Sequence, residues 1–150
     1  MKILLAALLA LVPASGFAAE SYGFTVALSF SPQAAQKLAS LHESVSGTAY
    51  YYGWPAPAAK KKADSMGQIG FDNEAVTVDA TAGTISFTGK TVKRNEIAWL
   101  AKHQVLVTVN VYSARQSDPD NFLDCDAYDG PVADAAAKSP AIACKLIGEK

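Results

Sequence analysis

Val105-Leu106-Val107-Thr108-Val109-Asn110-Val111-Tyr112 places a valine at every second position, a period of two that a strand produces and a helix does not. Both alternating sets carry apolar groups, so the spacing predicts a central strand. Upstream, Tyr22, Phe24, Val26, Leu28 and Phe30 repeat the pattern, with Gly23, Thr25, Ala27 and Ser29 between them. Further strands are expected over 45–52, 68–71, 75–79 and 84–88. A final strand over 141–147 would put Ile142, Cys144 and Leu146 on one face, and 122–128 reads as an edge strand. Ala80-Thr81-Ala82-Gly83 supplies turn chemistry between two of these runs. Helix signals are short. Ser31-Pro32 is an N-cap followed by a residue suited to the first helical position, and Ala34, Ala35, Leu38, Ala39 and Leu41 follow at helical spacing. Brief helical turns are expected over 56–63, 95–102 and 132–138.

Seven or eight short strands between turn residues predict a mainly β protein. The expected architecture is one small β-sandwich, immunoglobulin-like or transthyretin-like, with one or two short helices. Trp54 and Trp99 both precede Cys125, so the Cys–Trp–Cys order of antibody domains is absent.

The N-terminus gives the address. Lys2 precedes an unbroken apolar run over 3–12, which Pro13, Ser15 and Gly16 end. That run is too short to span a bilayer, and Gly16 and Ala18 are small where a peptidase needs small residues. The expectation is a signal peptide over 1–18, a cut after Ala18, and one domain over 19–150 in the periplasm or outside the cell. No later stretch is apolar enough to predict a transmembrane segment. Cys125 and Cys144 are an even count in an exported chain, which reads as one disulfide.

The chain has 13 Lys+Arg and 14 Asp+Glu. With Lys2 removed the balance is 12 against 14, a net charge of −2. That argues against nucleic acid as a partner. The distribution is uneven: Lys60–Lys62 is the one basic run, and 118–134 holds six Asp with no Lys or Arg.

Three stretches could carry function. Asp118, Asp120, Asp124 and Asp126 are oxygen donors of the kind a calcium ion wants. The calcium-hand spacing fails: counting from Asp118, Phe122 and Leu123 stand where a donor and a glycine belong. Turn formation and solubility account for the cluster, with Arg115 close enough in sequence to neutralise one carboxylate. The second stretch is Tyr50-Tyr51-Tyr52-Gly53-Trp54-Pro55. In a strand, Tyr50 and Tyr52 point one way and Tyr51 the other, so one set reaches a surface or lies under a loop. Tyr and Trp give large contact area at low entropy cost, which suits capture of a protein or glycan.

The third is Ser46-Gly47-Thr48-Ala49-Tyr50. Its Ser-Gly-x-x-Tyr form is similar to a short motif of bacterial periplasmic lysozyme inhibitors, which are also small exported β-proteins. The resemblance covers five residues. It implies that Ser46 and Tyr50 contact a cell-wall-degrading enzyme from a loop that enters its cleft.

Signs of catalysis are few. His42 and His103 have no obvious partner, and there is no Gly-x-Ser-x-Gly elbow, phosphate loop or His-Glu-x-x-His. The expectation is a non-catalytic binding protein of the cell envelope, without a cofactor, using an aromatic loop that includes Tyr50, Tyr52 and Trp54. An inhibitor of a cell-wall enzyme is the alternative, and a calcium-dependent protein the second.

Overall fold

The computed structural model describes residues 21–150, so the expected leader and its cut after Ala18 lie outside the described residues. The strands are β1 (Phe24–Phe30), β2 (Ser44–Gly53), β3 (Ile69–Gly70), β4 (Glu74–Asp79), β5 (Thr84–Phe87), β6 (Leu106–Ser113), β7 (Leu123–Cys125), β8 (Tyr128–Pro131) and β9 (Ala141–Leu146). Among the described residues two α-helices, α1 (Pro32–Leu41) and α2 (Val132–Lys138), join them, with 3-10 segments at Pro57–Lys62, Arg94–Trp99 and Ala101–His103. The protein is mainly β, with two sheets, short helices and one disulfide.

A four-stranded sheet runs β5-β1-β9-β7. β1 lies parallel to β9, with Leu28 beside Ile142, and antiparallel to β5. A five-stranded sheet runs β3-β2-β6-β8, with β4 also on β2. β3 pairs with Tyr52 and Gly53, and β4 pairs with Ser44 to Ala49, so the two short strands share one edge of β2. As the valine spacing predicts, β6 is central, between β2 and β8.

Alternation decides what each sheet buries. Gly47, Ala49 and Tyr51 stand opposite Val111, Val109 and Val107, and this set faces inward. Phe24, Val26, Ile85, Phe87 and Ile142 of the other sheet belong to the same core. Phe24 meets Tyr51 edge-on at 6.2 Å. Gly47 is where the sheets approach closely: a Cβ there would sit 2.9 Å from Ile85 Cδ1 and 3.1 Å from Phe87 Cζ. A side chain would hold the layers apart, which is the reason for glycine in the middle of a strand.

The caps follow their local chemistry. Ser31 Oγ accepts from the Ala34 N–H at 3.1 Å, and His42 closes α1 in the left-handed region at φ 51°. Helix α1 buries Ala34 and Leu38. Helix α2 lies within the loop closed by the disulfide and buries Val132 and Ala135. Cys125 and Cys144 are directly opposed on β7 and β9 and are bonded. Among the described residues no helix is long and apolar enough to cross a membrane.

Some expected elements differ. The strand over 122–128 is two strands in different sheets. Asp126 N–H still donates to Ala143 O of the four-stranded sheet, and Tyr128 then pairs with Val109 of the other. The strand over 68–71 shrinks to Ile69–Gly70, and 95–102 forms two 3-10 segments.

Candidate functional site: the outer face of the five-stranded sheet

The outward positions of β2 are Ser46, Thr48, Tyr50 and Tyr52, and Trp54 follows the strand end. Tyr50 and Tyr52 stack on each other at 5.7 Å with rings 11° apart. Tyr52 meets Trp54 edge-on at 6.2 Å. The expected aromatic loop is therefore a row along a central strand that ends at Trp54. Tyr52 is only 6% exposed, whereas Trp54 is 51% exposed.

Trp54 is held by its backbone. Its carbonyl accepts from the Ala101 N–H at 2.7 Å, and the Ala56 N–H donates to Trp99 O at 2.7 Å. Pro55 and Leu100 form a bridge between these bonds. Gly53 lets Leu100 close in beneath, since a Cβ there would lie 2.7 Å from Leu100 Cδ1 and 2.8 Å from Gln104 O. Trp99 carries the Lys62 ammonium 3.8 Å above its ring. Lys60 and Lys61 are exposed in the same 3-10 segment. The backbone that carries Trp54 is thus held against the 99–101 segment, and its indole, edge-on to Tyr52, is half exposed.

Polar groups border the row. Tyr52 OH donates to Asp129 Oδ1 at 2.8 Å, and Thr108 Oγ1 donates to the same oxygen at 3.0 Å. Thr48 Oγ1 and Tyr112 OH are 2.9 Å apart, and the Arg115 guanidinium lies 5.8 Å from the Tyr112 ring. Burial raises the phenol pKa of Tyr52, and the bond to the Asp129 carboxylate adds to it. Burial raises that of Tyr50 too, with the Asp64 charge behind it. Both phenols therefore stay neutral donors.

The other sequence candidates separate. Ser46 is buried within β2 and bonds Thr77 Oγ1 at 2.7 Å. The Ser46–Tyr50 motif occupies the middle of a central strand, not a projecting loop, and its glycine serves the contact between sheets. The aspartates do not converge: among the described residues no group of three or more His, Cys, Asp or Glu is placed to hold a metal ion. Asp118 Oδ1 accepts from the Asp120 N–H at 3.0 Å, a turn, while Asp124 and Asp126 are exposed near the disulfide. Arg115 neutralises none of them. It lies over Tyr112, and the ion pair found among the described residues is Lys93 with Asp72 at 3.9 Å. His42 and His103 are exposed, each at positive φ.

Two buried glutamates escaped the sequence reading. Glu43 is 3% exposed and accepts backbone N–H groups from Ser44 at 3.0 Å, Gln116 at 3.0 Å, Ser117 at 2.7 Å and Asp118 at 3.3 Å. Burial pushes its pKa up, but these amides outweigh it and hold the carboxyl below the usual range. Glu74 accepts from Thr88 N–H, Thr88 Oγ1 and Gly89 N–H at 2.7–2.9 Å. Burial again opposes, the Thr88 and Gly89 bonds win, and its carboxyl is also held low. Tyr51 OH points at Glu74 across 3.4 Å; burial first, then the Glu74 charge, pushes that phenol far up. Glu43 fastens the acidic loop, and Glu74 fastens the chain leaving β5. Glu43 follows α1 and Glu74 opens β4, and a lone glutamate at either place gives no pattern that foretells its role.

Comparison with known proteins returns no match: no family model fits the chain, and no curated protein or solved structure is significantly similar to it.

Proposed function

We propose that this protein is an exported, non-catalytic binding module, a β-sandwich of immunoglobulin-like or transthyretin-like architecture that captures an envelope partner on its outer aromatic face. One observation carries the proposal: Trp54 is half exposed on a backbone pinned by the Trp54 carbonyl and the Ala56 N–H. An aromatic side chain has few rotatable bonds and so loses little freedom when a partner covers it. Tyr52 meets the indole edge-on, Tyr50 stacks on Tyr52, and Asp129 and Thr108 supply polar groups beside Tyr52. The disulfide fits folding in an oxidising compartment.

The test is capture from envelope extract by the immobilised protein and by Trp54→Ala. The expected result is loss of capture with a melting temperature close to that of the parent. Capture that survives in the variant would overturn the proposal. Tyr52→Ala is a poor control, because Tyr52 is buried and its truncation also destabilises the sheet.

A further inference from the structure

We infer that the basic end of the five-stranded sheet, past the last residue of β2, docks on a membrane surface of anionic lipid headgroups. This contact lies at the end of the sheet and holds whatever partner the outer face captures.

The small net charge of the chain hides a segregation that the fold completes. Stretches 54–63 and 90–104 carry seven Lys or Arg against one acid, Glu96, whereas the rest of the chain, Lys2 aside, carries five against thirteen. The Pro55–Leu100 bridge and the bonds of Trp54 and Ala56 to Ala101 and Trp99 bring the two stretches together. Lys62 lies 3.8 Å above the Trp99 ring, so a cation of one stretch rests on the other. Lys60, Lys61 and Lys102 are exposed around this junction. Lys93 has an acid beside it, Asp72 at 3.9 Å, and adds less to the patch.

At the other end of β2 the sign reverses. Ser44 pairs with Asp79, and Glu43 next to it holds the loop of Asp118 and Asp120. The ten residues of β2 set the two ends roughly 30 Å apart. That is several times the screening length of about 8 Å at physiological salt, so a negative surface meets the basic end without the acidic one. The same separation turns the basic end toward such a surface on approach.

The residues among these cations favour a lipid layer over a soluble polyanion. Among the described residues three large apolar side chains are exposed, and two of them, Trp54 at 51% and Met66 at 64%, stand on either side of Lys60–Lys62 in the chain. Gly53 pairs with Ile69, which closes this stretch into one loop. A tryptophan ring and lysine stems enter the apolar edge of a bilayer while the ammonium groups stay among the headgroups. Six of the seven cations are lysines, and Arg94 lies over the Tyr22 ring at 5.9 Å. Lysines act as point charges suited to the diffuse field of a headgroup layer, whereas paired recognition of single phosphates calls for arginine.

The experiment is cosedimentation of the purified protein with phosphatidylcholine vesicles, with and without phosphatidylglycerol. Binding is expected only to the vesicles that contain phosphatidylglycerol, and it should be lost in about 0.5 M salt. Lys60→Glu with Lys61→Glu should weaken it more than about tenfold at unchanged melting temperature, since each lysine near the surface contributes to binding. Lys138→Glu, an equal change per site on helix α2, should bind as the parent does. No binding to the charged vesicles, equal binding to the uncharged ones, or binding that the double variant leaves intact overturns the inference. Tighter binding of heparin or single-stranded DNA than of the charged vesicles overturns the lipid assignment as well.

Discussion

Replacing Glu43 by glutamine tests how the acidic loop is held. The substitution keeps the shape of the side chain but exchanges one acceptor oxygen for an amide that donates. In the native chain Oε2 lies 2.7 Å from the Ser117 N–H and 3.0 Å from that of Gln116, the two shortest contacts this oxygen makes. Hydrogen bonds to a charged group contribute about 1.5–3 kcal/mol each. Gln116 and Ser117 are exposed and can turn partly to water, so the full value of both is not lost. The expected loss is about 3 kcal/mol, or a fall in Tm of roughly 10 °C for a domain of this size. Thermal and urea unfolding followed by circular dichroism, with the urea slope unchanged, measures it. Asp120→Asn, on the exposed turn of the same loop, should leave Tm where it is. A Glu43→Gln loss below about 1 kcal/mol would refute the account of this loop, since so small an effect is that of an ordinary surface change.

Glu43 and Glu74 both have folded pKa values below the ordinary 4.5. The unfolded chain therefore binds more protons, and the stability they add is present above pH 4.5 and lost as pH falls through the folded values. Acid titration of Tm should show that loss, and Glu43→Gln with Glu74→Gln should flatten it. Reduction of the Cys125–Cys144 bridge, which closes a 19-residue separation, should cost about 3 kcal/mol in urea unfolding. An unchanged midpoint after reduction would contradict that. Gly47→Val forces a branched side chain against buried Ile85 and Phe87 and should cost about 1–3 kcal/mol or more, with no selective loss of capture at a temperature where it is folded. Selective loss of capture would instead make the Ser46–Tyr50 stretch a contact surface.

How much was legible follows from what leaves a periodic trace. The valines of β6, the apolar row of β1 and the Ser31-Pro32 start of α1 write their geometry into neighbouring residues, and all three are found where the spacing puts them. The pairing of Cys125 with Cys144 needed only the count. The change of sheet between Cys125 and Tyr128 left no such trace, because it depends on which distant strand each end pairs with. The aromatic row was visible as residues but not as a place. Alternation separates Tyr51 from Tyr50 and Tyr52, yet it cannot show that Tyr52 is covered while Trp54 stays open. That difference depends on distant segments, such as Asp129, which bonds Tyr52, and the 99–101 stretch, which holds the backbone of Trp54 and Ala56. Glu43 and Glu74 were invisible for the same reason, since most of their partners are backbone amides that any sequence would supply.

Hydroxyl-radical footprinting of the protein alone and with envelope extract asks whether Trp54 is where a partner sits. Trp54 should be oxidised readily in the free protein and protected when the extract is added, while exposed Ile147 keeps its rate. Equal oxidation of Trp54 in both samples, with protection elsewhere on the surface, would contradict it.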